Sequence, residues 1–89
     1  MKSNTFPSNK TLEEAVLKSI KELGGSAQVP QINNKVIEIL HLPKEVVELE
    51  DESGLGTKLE YRLRWARTNL KSKGKIRNVI KGTWEVVEE

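Results

Sequence analysis

Residues 57–87 read TKLEYRLRWARTNLKSKGKIRNVIKGTWEVV, and they predict a long helix followed by a β-hairpin. At about 100° per residue, the apolar side chains of residues 57–73 fall on one narrow side, which predicts its burial. They are Leu59, Leu63, Ala66 and Leu70. Gly74 ends the helix, and two β-type runs follow at residues 76–80 and 83–87. Lys81 and Gly82 between these runs predict a tight hairpin turn.

The side of this helix opposite the apolar residues is polar and basic. Its centre holds Tyr61, Arg64, Thr68 and Ser72. The two edges carry Arg67 and Lys71 on one side, and Lys58, Arg62, Trp65 and Asn69 on the other. From Lys58 to Lys81 the chain has nine Lys or Arg residues and one acid, Glu60, so this helix and hairpin present a basic surface.

The rest of the chain is not basic. Residues 1–37 carry five bases and three acids, residues 38–56 carry one base and six acids, and residues 57–89 carry nine bases and four acids. The formal net charge of +2 therefore hides a strong local asymmetry. Such an asymmetry indicates a polyanionic partner more strongly than the net charge does.

The length and composition limit the chemistry that the chain can perform. Its 89 residues predict one small domain with one core. There is no cysteine and His41 is the only histidine, so we expect no metal and no cofactor. Paired acids such as Glu13 and Glu14 lie at an exposed helix start, and we expect no catalytic site. No apolar run approaches the roughly 20 residues that span a bilayer, and residues 1–10 lack the apolar centre of a signal peptide, so we expect no membrane partner and a cytoplasmic location.

The first part of the chain predicts a lead-in and a helix. Residues 1–10 are polar and aperiodic and predict a flexible lead-in. Thr11 and Glu14 form a capping box that predicts a helix start at Thr11, and Gly24 with Gly25 predicts the helix end. The buried stripe of this helix is Leu12, Ala15, Val16, Ile20 and Leu23.

A short extended run at residues 26–29 leads to a second helix. Pro30 suits the first turn of that helix, because the amide that proline lacks would have no partner there. The helix continues to about His41, where a capping or charge–dipole role is expected for the histidine. Pro43 then starts a brief helical turn through Val46 and Val47. The apolar face of the second helix consists of Ile32, Val36, Ile37 and Leu40.

The order of elements, α-β-α-α-α-β-β, predicts a winged helix-turn-helix. This is a mainly α fold with a small β-hairpin, and it would cover residues 11–89. The short strand after the first helix is expected to join the hairpin as a third strand and to cover its open edge. Residues 48–56 are acidic and contain glycine, so we expect an exposed loop that lies away from any phosphate.

In helix-turn-helix proteins the second helix of the motif enters the major groove, while neighbouring elements hold the phosphates. Here the helix at residues 57–73 would enter the groove, and the partner would be double-stranded DNA. The expected base contacts on its exposed side are Lys58, Tyr61, Arg64 and Thr68. The expected phosphate contacts are the other bases of the helix and wing, namely Arg62, Arg67, Lys71, Lys73, Lys75, Arg77 and Lys81.

Some of these residues have a structural alternative. Trp65 and Trp84 are expected to be structural, because a small core gains much from a large aromatic side chain, and Trp84 is expected to pack the hairpin onto the first helix. Base or wing contact stays open for Trp65, which lies on the flank of its helix. Arg62 fits either a DNA contact or an ion pair between helices, for example with Glu38. The basic side as a whole also fits a merely solvated helix face.

The stretch YRLRWARTNLKSKGKI and the later KGTWEV resemble the N-terminal domain of Mrr-type restriction endonucleases. That family has an Arg-aliphatic-x-Trp-Ala core, then a basic helix, a glycine, a hydrophobic strand and a Gly-x-Trp turn. The matching residues are Arg62, Leu63, Trp65, Ala66, Arg67, Thr68, Leu70, Lys71, Gly74, Ile76, Gly82 and Trp84. The resemblance implies a winged-helix module that directs a separate, C-terminal nuclease domain, often toward modified DNA. That nuclease domain is expected to lie outside these 89 residues.

Other functions fit the same scaffold. A winged helix can bind another protein or form a homodimer through its wing or first helix, and it can hold duplex RNA by shape and phosphate contacts. Duplex DNA binding that weakens with salt would favour the DNA function. A concentration-dependent dimer without DNA binding would favour the protein-interaction function.

Overall fold

The computed structural model describes residues 6–51, 54 and 56–87. In chain order the elements are α1 (Asn9–Glu22), β1 (Ser26–Gln28), α2 (Val29–Leu40), α3 (Lys44–Val47), α4 (Lys58–Ser72), β2 (Ile76–Ile80) and β3 (Thr83–Val86). This is the order α-β-α-α-α-β-β, and with a three-stranded antiparallel sheet it confirms the predicted winged helix-turn-helix fold. No helix in the described part of the chain is long and apolar enough to cross a membrane.

Helix α1 begins two residues earlier than predicted. Ser8 is the N-cap, and its Oγ accepts a 3.2 Å hydrogen bond from the backbone amide of Thr11. The predicted cap at Thr11 is wrong because Ser8 is an equally good capping residue, and the partly buried Phe6 packs against the core just before it. Of the predicted flexible lead-in, residues 1–5 lie outside the described residues. The helix ends as predicted, where Gly24 and Gly25 both have positive φ.

The two ends of α2 are capped in different ways. Gln28 and Gln31 form a capping box, in which Oε1 of Gln31 accepts a 2.9 Å hydrogen bond from the Gln28 amide. Pro30 lies in the first turn, as predicted. His41 is the C-cap, in the left-handed region with φ 52°, which confirms its capping position.

Helix α4 is the predicted basic helix. Thr57 is its N-cap and forms a capping box with Glu60, whose amide donates a 3.1 Å hydrogen bond to Oγ1 of Thr57. Lys73 is the C-cap, so the predicted bounds of 57–73 hold with a cap at each end. Burial of a leucine side chain stabilises a domain by about 1.5–3 kcal/mol, so the core-facing side anchors the helix. That side is buried as predicted: Leu59, Leu63, Ala66 and Leu70.

The sheet has the order β1-β3-β2, and β3 pairs antiparallel with both neighbours. The short strand β1 thus covers one edge of the hairpin, as predicted. The hairpin turns at Lys81 and Gly82, and the register between β2 and β3 shifts between Asn78 and Ile80. The Val29 amide donates a 3.0 Å hydrogen bond to the Gly82 carbonyl oxygen. The wing turn therefore rests against the start of α2.

Helix α1 packs on both α2 and α4, and the sheet closes the same core through β3. Trp84, on β3, is partly buried against this core, in keeping with the structural role predicted for it. Trp65 is 49% exposed and does not belong to the core, so base or wing contact, the alternative left open for it, remains available. The reason for this exposure is its position four residues after Tyr61, which puts both side chains on the same exposed side of α4.

Candidate nucleic-acid interface

The exposed side of α4 places an aromatic pair beside an arginine. Tyr61 and Trp65 are 47% and 49% exposed, and their ring centroids lie 6.4 Å apart in an edge-to-face arrangement. Arg64 is exposed on the same side, and no acid of the described residues lies within 4 Å of its guanidinium. Oγ1 of Thr68 donates a 3.1 Å hydrogen bond to the Arg64 carbonyl oxygen, so the hydroxyl can still accept one from a ligand. Tyr61, Arg64 and Thr68, all predicted base contacts, thus share one surface.

The first turn of α4 is tied to the start of α1. Nζ of Lys58 lies 5.0 Å from the centroid of the Phe6 ring, and the guanidinium carbon of Arg62 lies 5.5 Å from it. Nη1 of Arg62 also donates a 3.2 Å hydrogen bond to Oδ1 of Asn9. The alternative ion pair of Arg62 with Glu38 is not formed: Arg62 lies against Asn9 and Phe6, and Glu38 pairs with a lysine of its own helix. Arg62 therefore links two helices through an amide and an aromatic ring while keeping its charge available.

The acidic loop lies closer to this end of α4 than predicted. The Lys58 amide donates a 2.8 Å hydrogen bond to the Leu49 carbonyl oxygen, and Glu50 forms an isolated β-bridge with Thr57. These backbone contacts bring Leu49 and Glu50 back to the helix start, and the hydropathy pattern contains no sign of them; residues 52, 53 and 55 of the predicted loop lie outside the described residues. The expectation that the loop lies away from the candidate contacts is wrong at Glu50, which borders Lys58 and Tyr61. The end of the acidic segment and the first turn of α4 enclose a cleft of about 450 Å³. Its lining residues are Leu49, Glu50, Asp51, Lys58, Tyr61 and Arg62.

Arg67 lies on the opposite edge of α4 and is largely covered. It is 8% exposed, and its Nη1 donates a long 3.4 Å hydrogen bond to Oδ1 of Asn33 in α2. Within the described part of the chain no carboxylate lies within 4 Å of it. Burial, and then the neighbouring charge of Arg64, lower the pKa of Arg67 from its ordinary value. The helical pattern predicted an exposed base here, and the structure places a guanidinium against α2 instead.

Lys73 and Glu13 connect the end of α4 to α1. Nζ of Lys73 donates a 2.7 Å hydrogen bond to Oε1 of Glu13, and Nδ2 of Asn69 donates a 3.0 Å one to Oε2. The hydrogen bond from Lys73 holds the pKa of Glu13 below its ordinary value, with help from Asn69 and against the opposing effect of burial. Lys73, a predicted phosphate contact, thus has an internal partner. Lys71, two residues earlier, is exposed and has none among the described acids.

The wing carries paired bases, unpaired bases and exposed apolar side chains. Nε of Arg77 donates a 2.8 Å hydrogen bond to Oε1 of Glu85 on the neighbouring strand. Val79 and Ile80, at the register shift beside the turn, are 51% and 65% exposed. The exposed wing bases without an ion pair to any described residue are Lys75 and Lys81. The wing therefore offers both charge and apolar surface to a partner.

Most of the predicted basic surface is thus left without internal neutralisation. Of the nine bases from Lys58 to Lys81, only Lys73 and Arg77 form an ion pair with a described residue.

Residues 10–89 match the family model of the Mrr N-terminal domain. The chain belongs to the Mrr N-terminal domain family. Searches of curated proteins and of solved structures each gave no match.

The family match confirms the resemblance seen in the sequence. It begins at the second residue of α1 and runs through the wing, so it covers every element of the fold. As an Mrr N-terminal domain, the chain is a restriction-endonuclease-associated module. A domain of this kind is not itself the catalytic nuclease domain.

Two residues of this Mrr N-terminal domain's candidate interface were missed by sequence reasoning. Phe6 lies beneath two bases of α4, and the available signal was a lone phenylalanine close to a capping serine. Asn33 holds Arg67 from a position 34 residues away, and no local pattern indicates such a contact.

Proposed function

We propose that this domain binds double-stranded DNA through the exposed side of α4 and the β2–β3 wing. In this proposal it directs an Mrr-like restriction endonuclease to sites selected by base sequence or base modification, and a C-terminal nuclease domain of the parent chain performs the cleavage. The observation that carries the proposal is the set of seven bases in α4 and the wing that have no ion pair with a described acid. Such charges are available to an external polyanion.

The pairing pattern elsewhere in the described chain makes this set distinctive. Of the five described bases outside α4 and the wing, three have a carboxylate within 4.0 Å (Lys18, Lys35 and Lys44) and two do not (Lys10 and Lys21), whereas in α4 and the wing two of nine bases are paired. The paired fraction is therefore lower in α4 and the wing than in the rest of the described chain. The concentration of unpaired bases on α4 and the wing therefore favours a ligand-binding role.

Base contacts are proposed for Lys58, Tyr61, Arg64 and Thr68, and Trp65 joins them because its ring is exposed against that of Tyr61. The fork of the Arg64 guanidinium matches the O6 and N7 acceptors that guanine presents in the major groove. The aromatic pair matches the apolar group in the same groove, which is the C5 methyl of thymine or of a methylated cytosine. Charge and apolar surface on one helix side thus give two independent means of reading bases.

Phosphate contacts are proposed for the remaining bases, with unequal contributions. Lys71, Lys75 and Lys81 are exposed and have no ion pair with a described acid that they would have to release. Lys73 and Arg77 must exchange a carboxylate for a phosphate, so their net contribution is smaller. Arg62 and Arg67 are already held by neutral groups of the protein.

The proposal is tested by measuring the affinity of the domain for a labelled duplex of about 20 base pairs by fluorescence anisotropy at several salt concentrations. Seven phosphate contacts give a slope of log affinity against log salt no steeper than about −6. The triple variant Lys71→Ala, Lys75→Ala and Lys81→Ala is expected to flatten the slope by about 2.7, or about 0.9 per contact. Lys44→Ala, which removes an exposed base from α3, is the matched control and should leave the slope unchanged. Absence of salt-dependent binding at about 50 mM salt would exclude the function.

A second candidate function, protein docking or homodimerisation, is favoured by the exposed apolar side chains. Tyr61, Trp65, Val79 and Ile80 are each close to half exposed or more. Light scattering across a range of protein concentrations would reveal a dimer, and loss of that dimer in Ile80→Ser would assign it to the wing. Competition between duplex DNA and duplex RNA of the same sequence separates DNA binding from the RNA alternative.

A further inference from the structure

Arg67 is buried but its charge is not compensated within the described protein. Its single side-chain partner there is Oδ1 of Asn33, at 3.4 Å, and it is 8% exposed. A guanidinium has five N–H donors, so the protein uses little of its hydrogen-bonding capacity. A charge that is removed from water without an opposite charge destabilises the fold. An anion bound at this position would therefore stabilise both the arginine and the domain.

The guanidinium can still be reached from outside. Among the described residues, Oγ of Ser19 is the one side-chain nitrogen or oxygen atom that is sealed from solvent without a hydrogen-bond partner. The unused nitrogens of Arg67 therefore keep a small contact with solvent, although the residue as a whole is 8% exposed. A buried stem holds the charged head in one place, which reduces the entropy that is lost when a ligand binds.

The neighbouring groups favour an anion over any other ligand. Arg64 and Lys71 lie three residues before and four residues after Arg67, so both neighbour it on the surface of α4, and neither has an acid partner among the described residues. Asn33 accepts a hydrogen bond through Oδ1, which leaves its NH₂ group able to donate to the same anion. The wing turn rests on the first residue of the helix that carries Asn33. The site thus lies between α2 and α4, four residues along α2 from the residue that contacts the wing turn.

We propose that Arg67 and Asn33, with Lys71 beside them on α4, form a preorganised site for one phosphate group, and that its native occupant is a phosphodiester of duplex DNA. The inference rests on the proposed function and extends it in two respects. Asn33 becomes a positioning residue that holds Arg67 for the ligand. The phosphate supplies the counter-ion that Arg67 lacks in the free domain. Ligand affinity and domain stability are therefore coupled through the Arg67 side chain.

Asn33→Asp is the most informative variant, because it places a carboxylate of nearly the same shape at the missing counter-ion position. We expect a melting temperature raised by a few degrees, together with a roughly tenfold lower affinity for duplex DNA and a salt slope flatter by about 0.9. Arg67→Met keeps the buried stem and removes the charge. Its melting temperature is expected to be unchanged or higher, with a similar loss of DNA affinity.

A second measurement uses inorganic phosphate as the probe, in thermal unfolding at constant ionic strength set with chloride. Phosphate is expected to raise the melting temperature of the natural protein in a saturable way and to have no such effect on Arg67→Met or Asn33→Asp. Lys44→Met removes one exposed positive charge elsewhere and should respond as the natural protein does.

The outcomes separate the site from the function. If Arg67→Met lowers the melting temperature and Asn33→Asp leaves DNA affinity unchanged, Arg67 is a structural residue and the site is overturned. If the natural protein binds DNA and both variants bind equally well, the site is overturned while the proposed function stands. If the natural protein binds no DNA but phosphate still stabilises it through Arg67, the proposed function fails and free phosphate replaces the phosphodiester as the occupant.

Discussion

Nζ of Lys73 donates a 2.7 Å hydrogen bond to Oε1 of Glu13 and thereby joins the C-terminal end of α4 to α1. The Glu13 side chain is 12% exposed and that of Lys73 is 56% exposed, so the pair lies at the border between the core and the candidate interface. Asn69 donates to the second carboxylate oxygen. One carboxylate therefore stabilises the packing of two helices and also neutralises a base that would otherwise be available to DNA.

Acid is expected to remove the stabilising part of this contact. Because Lys73 and Asn69 lower the pKa of Glu13, its contribution to stability is complete above about pH 4.3, the ordinary glutamate value, and is lost as the pH falls through the lowered pKa. Glu13→Gln lacks this contribution, so its free energy of unfolding at neutral pH should be lower by about 1 kcal/mol. Urea unfolding of the natural protein and the variant at about pH 7 and about pH 2.5 measures the difference between their free energies of unfolding. That difference should shrink toward zero in acid. A difference independent of pH would contradict the ionic role of Glu13.

Lys71 is expected to contribute more to DNA affinity than Lys73, because Lys73 must release Glu13 before it meets a phosphate. In anisotropy titrations, Lys71→Ala should flatten the salt slope by about 0.9 and Lys73→Ala by clearly less. Glu13→Gln frees Lys73 and should strengthen binding at low salt. Lys18→Ala, an exposed base on α1, serves as the control. An equal flattening of the salt slope by Lys71→Ala and Lys73→Ala would show that the pairing of Lys73 with Glu13 does not affect DNA binding.

Arg64→Ala is expected to lower sequence discrimination as well as affinity. The preferred sequence of the natural domain is first selected from a pool of random duplexes, and the variant is then measured against single-base changes. Loss of a bidentate guanine contact removes about 1–3 kcal/mol of preference at one position. Lys71→Ala, by comparison, should weaken every sequence by the same factor. A uniform loss for Arg64→Ala would identify Arg64 as a phosphate contact.

The aromatic pair is expected to detect C5 methyl groups. Replacing thymine by deoxyuridine at the contacted position removes only that methyl, and the natural domain should bind the altered duplex several-fold more weakly. Trp65→Ala should bind the thymine and deoxyuridine duplexes with equal affinity. Its stability should change little, because about half of the Trp65 side chain is already exposed. Trp84→Ala, which removes a ring packed on the core, should be markedly less stable. An equally large destabilisation by Trp65→Ala would place Trp65 in a structural role.

The sequence by itself determined the element order, the helix faces and the position of the basic segment. These features depend on local rules: apolar spacing of three to four residues in a helix, glycines at left-handed ends and a turn between two strands. The buried side of α4 and the stop at Gly24 and Gly25 were predicted on these grounds and confirmed. The start of α1 was misplaced because Ser8 and Thr11 satisfy the same local rule, and only the packing of Phe6 distinguishes them.

The tertiary structure alone decided which bases are available to a ligand. Arg67 and Lys73 look alike on the helical wheel as members of the basic surface, but Asn33 holds the first from 34 residues away and Glu13 neutralises the second from 60 residues away. The same applies to Glu50, which a backbone bridge brings beside the start of α4. Helix periodicity specifies the direction of a side chain from its own axis and contains no information about the neighbour it meets. Burial and pairing depend on that neighbour, so they emerge only when the helices pack.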